Sequence, residues 1–504
     1  MGYVRRMSTP RSPAPAPTAG DLSFFWHDYE TFGRLPRRDR PSQFAGVRTN
    51  AELEEIAPPV MLYCQPAPDF LPDPEACLLT GILPQTCLEQ GVAEHEFARR
   101  IEAELGRPGT IGTGYNSLRF DDEVTRHLLW RSLADPYARE WQNGCSRWDL
   151  LDTVRCAWAL RPEGVEWPHH PDGKPSFKLE DLSRANGLVH EAAHDALSDV
   201  RATIALARRI RSAQPRLFDF CLRLRQKNTV IQEIGVGRPF LHISGRYASE
   251  RGCLAVVWPL APHPTNKNEL IVWDLSADPA ELAELDAAAI RARLFVAQAD
   301  LPEGQTRLPL KTIHLNRSPV VISTLKTLTP ARAEHWGVDL ATCLRHAETA
   351  ARIGSTLAGL WPDVYSRPQS VEPVDVDEDL YGGFLSQDDR RSLERLRGLS
   401  GEQLAGLCQG GRQPAFDDER LEELLFRYRA RNFPALLGEG ERQRWQQHCA
   451  RRLHEGEGGA TPLAAFFEQL DALQEAHADD ADERAAELLS ALYDYAESIA
   501  PEPL

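Results

Sequence analysis

The stretch FFWHDYETFG, residues 24–33, combines an apolar strand pattern with two acids, Asp28 and Glu30, near its end. Side chains two residues apart on a β-strand point to the same face. Both carboxylates are therefore predicted to project from one face, with His27 and Tyr29 on the other. Two like charges this close repel each other, and burial increases the repulsion. A divalent cation relieves it, and oxygen ligands of this kind favour Mg²⁺ or Mn²⁺.

Taken alone, an acid-x-acid pair is a weak signal. The chain has 74 acids among 504 residues, so such pairs occur many times by chance. A solvated strand end is the ordinary interpretation. The position of this pair at the end of an apolar strand, instead of in a charged loop, favours a metal site.

A third acid stands in GYNSLRFDDE, residues 114–123. Asp121 lies at the entry to a helix predicted over 122–133, where unpaired backbone N–H groups favour anions. The pattern is equally typical of a plain helix cap, because Asp is a preferred capping residue.

A fourth acid stands in HDALSD, residues 194–199, which opens a helix predicted over 195–210. Asp199 lies in the early turns of that helix, and His194 lies just ahead of it. The two side chains converge on one site only if His194 precedes the helix, because they would be about 140° apart on a continuous one. A surface histidine and a helix-dipole acid are the ordinary alternatives.

Together, four carboxylates and one histidine, each at a strand end or a helix start, indicate a shared site. The set suits two metal ions about 3.5–4 Å apart, which bind a phosphodiester and activate water. Histidine, whose pKa is near neutrality, is the natural group to take the proton of that water.

Length and composition limit the class of protein. A chain of 504 residues predicts two to four domains. No apolar run approaches the roughly 18 residues that a membrane span needs. Residues 1–20 are rich in Pro, Ala, Ser and Thr, and are predicted to be a disordered leader or sequence upstream of a start at Met7. Ten cysteines without a C-x-x-C pair are expected to be reduced thiols in a cytoplasmic protein.

The net charge of −17 argues at first against a nucleic-acid partner, but the charge is uneven. Residues 201–251 contain eleven Lys and Arg against three acids, whereas residues 471–504 contain ten acids against one base. A polyanion responds to the local potential, so the basic segment keeps a nucleic-acid partner open. A solvated basic face is the alternative.

The order of the predicted elements indicates three domains. Strands at 22–30 and within 41–65 precede helices at 97–105, 122–133, 148–160 and 195–210, which predicts an α/β domain. Short strand-like runs between 238 and 330 predict a small β-rich domain, and the chain after about 370 is predicted to be helical. The predicted divisions are a leader at 1–20, a first domain at 21–212, a β-rich domain at 213–368 and a C-terminal domain at 371–504.

The sequence resembles the DEDDh exonuclease superfamily, and within it the long bacterial members, over nearly the whole chain. The stretches that carry the resemblance are FWHDYETFG, DRPSQFAGVRT, GYNSLRFDDEVTR, DPYAREWQNGCSRWDLLDTVR, PSFKLEDL, HDALSDVRATIA and RYRARNFP. The resemblance implies an α/β, ribonuclease-H-like exonuclease domain, followed by an SH3-like β-barrel domain and an all-α C-terminal extension.

The implied activity is processive 3′-to-5′ degradation of single-stranded DNA to 5′-mononucleotides, in DNA repair or recombination. Asp28, Glu30, Asp121 and Asp199 would hold two Mg²⁺ ions, for which Mn²⁺ may substitute, and His194 would be the general base. Glu30 would also contact the substrate.

The resemblance also implies residues along a DNA path. Lys178 stands where the family typically has Arg, and a Lys keeps the charge but cannot make the bidentate phosphate contact. Four further residues match positions that line the DNA: Arg126, Tyr137, Trp141 and Arg155. Arginine suits phosphate, and Tyr and Trp suit base stacking. A buried Trp and helix-surface arginines are the ordinary alternatives.

An implied partner is the single-stranded-DNA-binding protein, whose acidic, apolar-ended tail would dock on a basic patch. The segment 201–251 and the β-rich domain are the expected source of that patch. A monomer with no membrane association is expected.

Two other functions compete with this one. Another DEDDh activity, in proofreading or RNA trimming, usually needs little more than the catalytic domain, and about 300 additional residues argue against it. A non-catalytic single-strand DNA-binding protein is the second alternative. All five site residues are present, so nothing in the sequence favours inactivation.

Overall fold

The computed structural model describes residues 22–189, 195–235, 237–366, 374–411, 415–477 and 483–502. The predicted leader at 1–20 and His194 lie outside these residues. Within the described part of the chain, no helix combines the length and the apolar character that a membrane crossing requires.

The first domain is built on a five-stranded sheet with the spatial order β3-β2-β1-β4-β5. Its strands are β1 Ser23–Thr31, β2 Pro41–Thr49, β3 Val60–Tyr63, β4 Thr110–Gly114 and β5 Ser146–Asp149. The central strand β1 pairs antiparallel with β2 and parallel with β4. Its helices are α1 Pro74–Thr80, α2 Pro84–Gln90, α3 Glu94–Leu105, α4 Asp121–Arg131, α5 Leu150–Leu160, α6 Leu179–Ala185 and α7 Ala196–Ala213.

Alternate side chains of β1 enter two different cores, as the period of a strand requires. Phe25 and Tyr29 pack with residues of α3 and α4 on one face. Trp26 packs with Val200 and other residues of α7 on the opposite face. The predicted alternation of β1 side chains between two faces is confirmed. Asp28, two residues after Trp26, lies on the face that packs against α7.

The β-rich domain contains an antiparallel sheet with the order β10-β6-β7-β8-β9. Its strands are β6 Phe240–Ile243, β7 Leu254–Pro262, β8 Glu269–Asp274, β9 Leu310–His314 and β10 Val320–Ile322. Only residues 315–319 separate the two edge strands in sequence, so this short connection draws the two edges of the sheet toward each other, as in a small barrel. Helices α8 Pro215–Arg223 and α9 Lys227–Ile234 lead into the sheet.

The C-terminal domain is helical in its described residues, and it packs on the first domain. Its helices are α14 Gln387–Arg397, α15 Gly401–Gln409, α16 Arg420–Asn432, α17 Glu439–Ala450, α18 Leu463–Ala476 and α19 Glu483–Ile499. A buried ionic cluster joins the two domains: Asp377 pairs with Arg40 and with Arg431, and Asp69 also pairs with Arg431. Partnering of this kind is what allows charges to be buried.

The structure adds elements that the periodicity did not predict. The apolar spacing predicts a helix over 148–160, but Trp148 and Asp149 belong to β5, and α5 begins at Leu150. The β-rich domain also includes four helices after β8, α10 Ala287–Phe295, α11 Pro330–His335, α12 Leu340–Leu357 and α13 Trp361–Val364. Their apolar faces complete the core of the second sheet, which short strands alone do not cover.

Candidate active site

The acids of β1 meet an acid of α7 at one point. Ligand oxygens of Asp28, Glu30 and Asp199 all lie within 4.8 Å of one another. Helix α7 crosses the sheet on the Trp26 face, which is also the face of Asp28 and Glu30. The strand supplies two carboxylates from its period of two, and the first turn of α7 supplies the third.

Asp121 lies beside this group, as the first residue of α4. Its Oδ1 accepts a hydrogen bond of 3.1 Å from the backbone N–H of Tyr29, which lies between Asp28 and Glu30. Thr125 on the next turn of the helix donates to the Asp121 carbonyl and also contacts the Tyr29 hydroxyl at 3.0 Å. These contacts hold the start of α4 against β1, so the four predicted carboxylates share one region.

Burial and mutual repulsion raise the pKa values of the carboxyl groups in this site. Burial first, and then Asp121, Glu30 and Asp199, raise the pKa of Asp28 well above its usual range. Burial, followed by Asp199 and Asp121, raises the pKa of Glu30 to about 8. Burial also raises the pKa of Asp121. A positive charge placed among these oxygens would reverse the repulsion.

The start of α7 is fixed by two residues that the sequence analysis did not select. Asp195 caps the helix by accepting from the Ser198 N–H at 3.1 Å. Gln43, the cross-strand neighbour of Glu30 on β2, accepts from the Ala196 N–H at 3.1 Å. The Gln43 amide also donates to the Tyr63 hydroxyl at 3.1 Å. Because Asp199 lies one turn into the helix, these contacts also fix the position of Asp199.

Asp149 is a further residue that the sequence analysis missed. It lies at the end of β5 and accepts from the backbone N–H groups of Asn116, Leu118 and Leu151, at 3.0, 3.2 and 2.9 Å. It therefore fixes the loop that leads to Asp121. Burial and then Asp152 raise its pKa to about 7. The signal in the sequence was an acid between Trp148 and the apolar start of a helix, in RWDLLD.

The predicted DNA-contact residues separate into exposed and buried ones. Trp141 is 66% exposed, which is unusual for a large aromatic side chain. Lys178 is exposed at the start of α6, and Tyr137 is half-buried. Arg155 pairs with Asp152 at 2.6 Å and lies over the ring of Phe177.

Arg126, a predicted phosphate contact, is buried in this structure. Its residue is 4% exposed, and its guanidinium pairs with Glu140 at 2.7 Å and with Glu123 at 2.8 Å. It also donates to the Tyr381 hydroxyl at 3.1 Å. The guanidinium is therefore part of an internal ion-pair network, and its contact with DNA stays a prediction.

Cations line a small cavity beside the acidic group, between the first domain and the β-rich domain. The cavity has a volume of about 130 Å³, and Leu118 and Asp149 form part of its wall. Its basic side chains are Arg119, Arg246, Lys311 and Arg317. Only Arg246 among them comes from the basic segment 201–251. Elsewhere in that segment Arg208 and Arg211 bind backbone carbonyls of the first domain.

Three known protein-family models match three consecutive parts of the chain, which correspond to the three domains. Residues 25–207 match the model of the exonuclease family, residues 225–367 match the exonuclease I SH3-like domain, and residues 374–499 match the exonuclease I C-terminal domain. The predicted fold class is confirmed by these matches. The boundaries at 212, 368 and 371 stay predictions.

Individual relatives match along nearly their whole length. The chain is 42% identical to exodeoxyribonuclease I of Escherichia coli, over 95% of this chain and 98% of the relative. The solved structure of exonuclease I from Methylocaldum szegediense is 48% identical with a TM-score of 0.89, covering 95% and 99% of the two chains. The E. coli enzyme in complex with a dA16 oligonucleotide is 41% identical with a TM-score of 0.88, covering 95% and 100%. The chain therefore belongs to the exonuclease I family.

Proposed function

We propose that this chain is a processive 3′-to-5′ exonuclease that degrades single-stranded DNA to 5′-mononucleotides. The observation that carries the proposal is the convergence of Asp28, Glu30 and Asp199 within 4.8 Å, with Asp121 beside them. The same family includes an enzyme crystallised with a DNA oligonucleotide. Carboxylates gathered in this way serve phosphodiester chemistry through divalent ions.

The donor set fits Mg²⁺, because all four groups offer hard oxygen ligands. Asp28, Glu30, Asp121 and Asp199 would hold two ions, and Mn²⁺ would substitute. Such ions, when bound, neutralise the charge that develops on the phosphodiester and make water a better nucleophile. The raised pKa values of Asp28 and Glu30 agree with a site whose charge is incomplete without cations.

The proton of the attacking water would pass to His194. This residue lies outside the described part of the chain, but Asp195 follows it directly and caps α7. A histidine just ahead of the helix is therefore carried on the same segment as Asp199. The exposed Lys178 would approach a substrate phosphate as a point charge.

The DNA strand would run from the acidic site along the exposed Trp141, the half-buried Tyr137 and a set of basic side chains. Trp141 and Tyr137 would stack on bases, which works for any base and so suits an enzyme that acts on any sequence. Arg119, Arg246 and Lys311 would bind phosphates in the cavity of about 130 Å³ that Asp149 lines. Arg155, which pairs with Asp152 in the wall of that cavity, stays a predicted contact.

The proposed protein partner, the acidic and apolar-ended tail of single-stranded-DNA-binding protein, would dock in a cavity of about 440 Å³ between α5, α8 and β10, whose lining also includes Glu233. Leu217, Phe220 and Ile322 give the cavity an apolar floor, and Arg161 and Arg216 provide positive charge at its wall. An apolar end group and a nearby carboxylate would find both kinds of contact there. A monomer, a cytoplasmic location and a role in DNA repair or recombination stay predictions.

Digestion of end-labelled strands tests the proposal. Single-stranded DNA and RNA of one sequence, labelled at the 3′ or the 5′ end, are incubated with the full chain and Mg²⁺, with EDTA as the control. The proposal predicts immediate release of the 3′ label from DNA alone, and none in EDTA. Preferential digestion of RNA would favour a trimming enzyme, and binding without digestion would favour a non-catalytic DNA-binding protein.

A further inference from the structure

The first turn of α4 carries three consecutive acids, and each has a different partner. Asp121 accepts from the Tyr29 N–H. Asp122 is buried and pairs with Arg139 at 2.6 Å and with Arg147 at 2.9 Å. Glu123 also has partners outside the first domain.

Glu123 is the centre of a junction of all three domains, formed by Glu123, Arg126, Arg317 and Tyr381. Arg126, one turn along α4, pairs with its Oε1 at 2.8 Å. Arg317 of the β-rich domain reaches the same oxygen at 3.2 Å. The hydroxyl of Tyr381 in the C-terminal domain donates to Oε2. The side chain of Glu123 is only 17% exposed, whereas Tyr381 is 57% exposed and reaches it from the surface.

Both outside partners are held in place independently of Glu123. The turn that carries Arg317 docks on β5, where the Ser318 hydroxyl donates to the Arg147 carbonyl at 2.9 Å. The segment that carries Tyr381 is held by its own domain, where Arg420 of α16 pairs with Asp379 at 3.5 Å. These anchors make Arg317 and Tyr381 fixed points against which α4 is held.

The geometry of a helix connects this junction to the acidic site. Residues two apart are separated by about 200° around the axis. Asp121 therefore faces β1 while Glu123 faces the other two domains. A rotation of the first turn that moved Glu123 from its partners would also turn Asp121 away from Asp28 and Glu30.

We propose that Glu123 is a positioning residue for Asp121, through which the β-rich domain and the C-terminal domain together fix the first turn of α4. The inference rests on the proposed function, since it assigns Asp121 to the metal site. In this proposal the β-rich and C-terminal domains help to position a metal ligand, in addition to any contact that they make with DNA. It also accounts for the burial of Arg126, which completes the junction.

The test uses the full chain with Tyr381→Phe, which removes one hydroxyl and keeps the ring. Tyr493→Phe is the matched control, because Tyr493 also donates to a carboxylate, that of Asp471, but within the C-terminal domain. Mn²⁺ affinity is measured by calorimetry without DNA, and kcat and KM are measured on a single-stranded oligonucleotide. Thermal unfolding is followed for each variant.

For Tyr381→Phe we expect Mn²⁺ affinity to fall severalfold and kcat to fall about tenfold, with KM within about twofold, because misplaced ligands affect the reaction more than substrate binding. Glu123→Gln should act in the same direction, and Tyr493→Phe should match the wild type. Unchanged Mn²⁺ affinity and kcat in Tyr381→Phe would overturn the inference, whether or not the Tm falls. A rise in KM alone would also overturn it, because it would make Tyr381 a DNA contact.

The Mn²⁺ titration separates this inference from the proposed function. A wild-type chain that binds Mn²⁺ but leaves DNA intact would refute the proposed function. The effect of Tyr381→Phe on Mn²⁺ affinity would still decide the role of Glu123.

Discussion

Replacing Glu30 by Gln should stabilise the metal-free protein while it abolishes nuclease activity. Burial and the neighbouring Asp199 and Asp121 raise the pKa of Glu30 from 4.5 to about 8. The folded protein therefore keeps this proton up to about pH 8, whereas the unfolded chain loses it near pH 4.5. Folding is penalised increasingly as the pH rises between these values, and the penalty is constant above them.

The size of the folding penalty follows from the pH range between the two pKa values of Glu30. Each pH unit within it costs about 1.4 kcal/mol, so the penalty at pH 7 is about 3 kcal/mol. Gln cannot ionise and so avoids the penalty. For a domain of this size, about 3 kcal/mol corresponds to a rise of about 6 to 12 °C in Tm.

Thermal unfolding in EDTA at pH 5, 7 and 8.5 measures this difference. The gap between Glu30→Gln and wild type should be small at pH 5 and largest at pH 8.5. Mg²⁺ should raise the wild-type Tm, because a ligand that binds only the folded state stabilises it, and it should affect the variant less. Glu89→Gln, on the exposed end of α2, is the matched control and should behave as wild type. A variant no more stable than wild type at pH 8.5 would refute the account of repulsion in the site.

Three further predictions address activity. Asp199→Asn should abolish cleavage while DNA binding, measured by fluorescence anisotropy, stays detectable; full activity would remove Asp199 from the site. His194→Ala should reduce kcat by about 10²- to 10⁴-fold without loss of Mn²⁺ binding, and an unchanged rate would exclude the histidine as general base. Trp141→Ala should weaken single-strand binding by about 1 to 3 kcal/mol, whereas an unaltered Kd at several salt concentrations would show that no base stacks there.

Much of the acidic site could be predicted from local sequence, because strands and helix starts have simple geometry. The period of two placed Asp28 and Glu30 on one face, and the HDALSD motif placed Asp199 in the first turns of α7. Both depend only on neighbours in the chain. The segment GYNSLRFDD placed Asp121 at a helix start for the same reason.

The environment of Arg126 could not be predicted in this way. Its partner Tyr381 is 255 residues away in sequence, and no local pattern indicates that the two meet. Asp149 was missed for a different reason: apolar residues surround it, and the four residues of β5 are too few to show a period of two against the helix that follows. Gln43 acts through backbone groups of a helix that begins about 150 residues later.

The most direct test of the central claim is a crystal of the full chain soaked with Mn²⁺ and measured at the manganese absorption edge. The account predicts anomalous density among Asp28, Glu30, Asp121 and Asp199, with two peaks about 3.5 to 4 Å apart when a 3′-ended oligonucleotide is present. Manganese bound elsewhere, with none among these four carboxylates in a crystal of active enzyme, would contradict it.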